Sequence, residues 1–152
     1  MRLLKRILLI SAVILILIQF IPNKLPGFDK DTKDDIITNS NTNAELATIL
    51  KTSCYDCHSN QTHYPWYAHV APVSWLLHSD VEEGRRHLNF SRWNLYETKR
   101  KIKKLGDIKE EVEKGDMPMP IYTFIHRGTK LSEVQKEQVM KWADEMSNQL
   151  MH

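Results

Sequence analysis

Cys54-Tyr55-Asp56-Cys57-His58 holds the only two cysteines of a 152-residue chain, three positions apart, with a histidine directly after the second. On one helical turn, two thiols so spaced lie on one face. Each can form a thioether to a haem vinyl group, and the neighbouring imidazole can ligate the iron. The pattern reads as the attachment site of a single c-type haem, with Cys54 and Cys57 as the thioether residues and His58 as the proximal iron ligand. Three other readings compete. A thioredoxin-type dithiol needs a strand–helix context that is not evident around residue 54. Half a zinc site would need His58, His63 or His69 as further ligands. A plain disulfide would close so short a loop that little chain entropy is gained.

Upstream of the motif the chain changes character twice. Arg2, Lys5 and Arg6 precede an almost wholly aliphatic run from Ile7 to Ile21. A basic flank followed by such a run is a secretory signal or a membrane anchor. The run is short of the roughly 20 residues a spanning helix needs. Leu3, Leu4 and Leu25 extend it, however, and Lys5, Arg6 and Lys24 can snorkel. No small-x-small cleavage pattern follows Gln19-Phe20-Ile21. Residues 1–22 are therefore expected to be an uncleaved, single-pass anchor in a bacterial cytoplasmic membrane. Its positive end stays inside, and the remainder faces the periplasm or the cell exterior. That placement suits the motif, because haem attachment takes place outside the cytoplasm. Residues 23–43 contain Pro26, Gly27, Asp29, Asp31, Asp34 and Asp35, then the polar run Thr38-Asn39-Ser40-Asn41-Thr42-Asn43. This composition reads as a flexible tether.

Residues 44–152 form the expected haem-binding domain. With 41% hydrophobic and 26% charged residues, the chain has material for one small domain and an appendage. The net charge is +2, and three of the basic residues lie in the first six positions, so nothing favours nucleic-acid binding. Thr42 or Asn43 can cap a helix that runs from Ala44 through Leu46, Ile49 and Leu50 into the motif. After the motif, Tyr64, Trp66 and Tyr67 are candidates to wall the haem, against the plainer reading of an aromatic cluster in a small core. Pro72 opens a helix with Val73, Leu76, Leu77 and Val81 at core spacing, expected to end near Gly84.

Lys99, Arg100, Lys101, Lys103 and Lys104 then precede Asp107, Glu110, Glu111 and Glu113, with Leu95, Ile102, Leu105, Ile108 and Val112 as the apolar face of two short helices broken at Gly106. The basic residues fit a docking patch for an acidic redox partner, or simply a solvated helix face. Gly115-Asp116-Met117-Pro118-Met119-Pro120 holds two methionines stiffened by prolines, and either offers a soft, neutral distal ligand to a haem iron. Both can equally serve as apolar loop anchors. His63, His69, His78, His87 and His126 allow bis-histidine ligation instead, and His126 is the foremost of them after the methionines. Ser132 and Gln135 form a capping box for a last helix through Trp142, expected to pack across the first.

Taken together, the run Cys54–Asn60, Tyr64-Pro65-Trp66-Tyr67, Pro72-Val73-Ser74-Trp75, Asp80-Val81 with Glu83-Gly84-Arg85, and Leu88-Asn89-Phe90-Ser91 with Trp93 resembles the bacterial haem-binding domain family related to monohaem c-type cytochromes. Met117-Pro118, Tyr122, His126 and the helix from Leu131 through Trp142 match as well. The resemblance covers about residues 45 to 145. It implies an all-α, small cytochrome c-like helical domain around one covalent haem, with the distal ligand at Met117 rather than Met119. The expected function is a membrane-anchored monohaem cytochrome that carries single electrons and is not an enzyme, with an unidentified redox protein as partner. A haem-based redox or gas sensor and a peroxidase-like haem protein are the alternatives.

Overall fold

The computed structural model describes residues 1–152, and every regular element in it is helical. The first helix, α1, runs Arg2–Leu17 and continues as a 3-10 turn over Ile18–Phe20. Arg2–Phe20 has a mean hydropathy of 2.3 and buries none of its residues, so it is long and apolar enough to cross a membrane. At about 1.5 Å per residue its 19 residues approach the roughly 30 Å of a bilayer's hydrocarbon core.

The domain begins with α2, Ala44–Ser53, whose N-cap Asn43 accepts from Leu46 N–H at 2.8 Å. The single turn α3, Tyr55–His58, follows directly. A 3-10 turn over Trp66–His69 leads into α4, Val73–His87, and a second over Phe90–Leu95 leads into α5, Thr98–Lys114. The short α6, Pro120–Ile125, begins on a proline, and α7, Glu133–Met151, opens with the Ser132–Gln135 capping box formed in both directions. The core gathers Leu46, Ile49 and Leu50 of α2, Tyr55 of α3, Phe90 and Trp93, Leu105 and Val112 of α5, and Val139, Trp142 and Ala143 of α7.

Four sequence expectations change here. Residues 23–43 are not a free tether throughout. Ile36 is fully buried in the core, and Asp35 is buried with it, accepting from Tyr55 Oη at 2.7 Å and from Ser91 Oγ at 3.3 Å. A local composition that cannot make a core by itself has been folded into one made by others. The helix at Val73 passes Gly84 and ends at His87. Its Val73 and Leu76 are exposed rather than core-facing, while Ser74 and Val81 are buried. Gly106 does not break a helix: α5 is continuous across it, and the chain turns at Gly115, whose φ of 79° suits glycine. Finally, α7 packs chiefly along α5 and meets α2 only in part, where Gln138 Nε2 donates to Glu45 Oε1 at 2.9 Å.

Candidate functional site

A cavity of about 490 Å³ opens beside the C-x-x-C-H turn, lined by Cys54, Cys57, His58, Met117 and Met119 together. The volume falls within the roughly 300–1,000 Å³ of cofactor sites. Leu50, Leu88, Phe90, Ile108, Val112 and Val139 supply apolar wall, and Asp56, Lys104 and Tyr122 supply polar groups.

The proximal side is held by α4. The Nδ1 of His58 lies 3.0 Å from Gly84 O and 3.1 Å from Leu88 O. Carbonyls only accept, so Nδ1 carries the proton and Nε2 keeps its lone pair for a metal. Burial also pushes the imidazole pKa below its ordinary 6.5, which favours the neutral, ligating form. The approach of α4 to the motif depends on Gly84. A Cβ there would stand 2.7 Å from Cys57 O and 3.2 Å from Cys57 Cβ. Arg85, the next residue, ties down the motif's exit by donating to Ser59 O at 2.7 Å and to Thr62 Oγ1 at 3.0 Å.

Burial pushes the Cys54 thiol up to about 12 and the Cys57 thiol up to about 11, the latter helped by Asp56 and Asp80. Dithiol redox motifs work by the opposite shift, a stabilised thiolate, so these thiols are poor redox nucleophiles. No three His, Cys, Asp or Glu side chains converge on a metal-holding group, which leaves the zinc reading without a ligand set.

The methionine side is set by the end of α5. Gly115 turns the chain in the left-handed conformation, and Asp116 N–H and Met117 N–H both donate to Glu111 O, at 3.0 and 3.1 Å. The backbone of Met117 is thereby fixed at the cavity. Met119 follows as the N-cap of α6 and lines the same space, so both methionines remain in reach of it.

Other expected site residues lie elsewhere. Tyr64, Trp66 and Tyr67 are absent from the cavity wall. Tyr64 Oη donates to Pro26 O at 2.9 Å, which holds the segment before the domain. Trp66 is 80% exposed. Tyr67 Oη pairs with His126 Nε2 at 2.5 Å, and His126 does not line the cavity. The Tyr64 and Tyr67 hydroxyls have partners in the polypeptide, and an aromatic-rich loop does not by itself tell which face it turns to a ligand. The aromatic wall comes instead from Phe90 and from Tyr122, whose hydroxyl donates to Asp56 Oδ2 at 2.9 Å.

Lys104, grouped by sequence with the basic patch, is instead buried, donates to His87 O, and lies 4.8 Å from the Tyr96 ring centroid. A signal existed: Lys104, Ile108 and Val112 recur every four residues on the face of α5 that meets the cavity.

A family model described as a haem-binding domain matches residues 13–145. No curated protein and no solved structure gives a significant match. The cavity fits that description: a mostly apolar space lined by two thiols, an imidazole with a free Nε2, and thioether sulfurs.

Proposed function

The chain belongs to the haem-binding domain family, and from that premise we propose that it is a membrane-anchored monohaem c-type cytochrome carrying single electrons at the outer face of a bacterial cytoplasmic membrane. The observation that carries the reading is the convergence of Cys54, Cys57, His58 and Met117 on one cavity. Bound there, a haem supplies a one-electron iron centre.

Each residue then has a task. Cys54 and Cys57 hold the group by thioethers, and His58 presents Nε2 while Gly84 O and Leu88 O fix its ring through Nδ1. Met117 offers a soft neutral sulfur, which favours the reduced metal and so raises the potential; Met119 is the rival for this role. With His58 and a methionine both available to hold the iron, the group would serve electron carriage rather than substrate chemistry. Lys104 is the only lysine or arginine lining the cavity and offers a counter-charge to haem carboxylates. Anchoring by α1 confines the domain to a thin shell at the membrane, raising its effective concentration toward a redox partner there.

The test is the absorption spectrum of protein made with haem-attachment machinery, taken before and after denaturation and acid–solvent extraction. The haem is expected to stay with the wild-type chain and to extract freely from the Cys54→Ala, Cys57→Ala double variant. The ferric methionine–iron charge-transfer band is expected to vanish in Met117→Ala and to persist in Met119→Ala. Freely extractable haem in the wild type would sink the covalent reading. A band lost only in Met119→Ala would move the distal ligand to that residue.

A further inference from the structure

We propose that one end of the domain, formed by the 3-10 turn Trp66–His69 and the first turns of α4, rests in the headgroup layer of the membrane that α1 crosses. The inference rests on the reading of α1 as an anchor.

α1 does not simply hand over to a loose spacer. Gln19, in the 3-10 turn that continues α1, uses both ends of its amide on one residue of the domain. Nε2 donates to Ala71 O at 3.0 Å, and Ala71 N–H donates to Oε1 at 3.0 Å. The same Nε2 donates to Leu15 O at 2.8 Å, so α1's own backbone aims the amide. The exit of the apolar helix is thus pinned to the start of α4.

Around that pin the domain turns apolar side chains outward. Ala71 itself is buried, but Trp66 is 80% exposed, Val70 42%, Val73 41% and Leu76 58%. Val73 and Leu76, three apart, share one face of α4. Phe20, next to Gln19 in the 3-10 turn after α1, is 80% exposed. In a chain that is 26% charged, no Asp, Glu, Lys or Arg occurs between Cys57 and Ser79.

An uncharged face with an outward tryptophan, fastened to a helix of membrane-spanning length, is what the interfacial layer accepts. Indole rings settle at headgroup level, and aliphatic side chains gain by burial at the acyl boundary. Because the face adjoins the point where α1 leaves the hydrocarbon, lipid occupies that space before a soluble partner can reach it.

The test uses the full haem-loaded chain in phospholipid nanodiscs, with the photo-crosslinking residue p-benzoylphenylalanine placed singly at Leu9, Trp66, Leu76 or Glu137. Mass spectrometry reads covalent lipid adducts after irradiation. Adducts are expected at 9, 66 and 76, with background only at 137, an exposed position on α7. Adducts at 9 with background at both 66 and 76 would overturn the membrane-seated face and leave the anchor standing. Background at 9 would overturn the anchor and this inference with it. Protein cross-links in place of lipid at 66 and 76 would also overturn it. Should the Trp66 variant fail to load haem, Val70 replaces it in the same comparison.

Discussion

At the scale of single residues, His58 shows how a side chain is prepared for a role before any ligand arrives. Its Nδ1 proton is taken by two carbonyls, and burial holds its pKa below 6.5. The sign of the pH effect follows. Above 6.5 the imidazole is neutral in both folded and unfolded chains, and the arrangement is at full strength. As pH falls below 6.5 the unfolded chain takes up a proton that the folded chain still refuses, so stability is lost on the acid side until the folded pKa is passed. In the haem-free protein, the His58 ring signals followed by NMR against pH should therefore stay those of a neutral imidazole through pH 6.5 and change only in more acid solution. A transition centred at or above 6.5 would show that the imidazole is not held neutral as described. The cysteine–histidine motif was legible because its chemistry is fixed by local spacing. Lys104 was not, because five basic residues within six positions look alike until packing buries one of them.

At the scale of elements, the site is an agreement between α3 and α4 on one side and the end of α5 on the other. Gly84 sets the first. Its missing Cβ lets α4 lie against Cys57, and its carbonyl accepts a hydrogen bond from His58 Nδ1–H. Gly84→Ala would force backbone apart at the haem motif, with an overpacking cost of about 1–3 kcal/mol. The expected outcome is a lower urea midpoint together with a shifted Soret band, since Cys57 and His58 move with the helix. By contrast, a Cβ at Gly106 meets nothing, and Gly106→Ala should leave the spectrum unchanged. Sequence reading treated both glycines as helix boundaries. One is a contact point inside a helix and the other a tolerated interior position, which only the neighbouring elements distinguish.

At the scale of the molecule, the segment between anchor and domain is structural. Ile36 fills the core, Asp29 N–H donates to Asn60 O at 2.8 Å, and Arg85 Nη1 donates to Gly27 O at 3.1 Å. Ile36→Ala should cost about 2–5 kcal/mol, the range for emptying a buried aliphatic site. Chemical denaturation of the haem-loaded protein reads this directly. A change within error of zero would return the segment to the status of a spacer. With this segment packed and Gln19 joined to Ala71, the exit of the apolar helix is tied to the domain beside the face around Trp66.

What the sequence determined by itself was set by periodicity and short-range chemistry. The helical class, the apolar N-terminal run, the Ser132 capping box, a cap at Thr42 or Asn43, and the thiol–thiol–imidazole spacing each depend on residues within a turn or two of one another. What the tertiary structure decided were choices among like residues that local spacing leaves equal. It turned Tyr122 rather than Tyr64, Trp66 or Tyr67 to the cavity, engaged His126 with Tyr67, buried Lys104, and drew Ile36 out of a polar run into the core. The reason is physical. Which face of a side chain meets a cavity, a partner or water depends on elements far away in sequence, and those contacts exist only once the helices have packed.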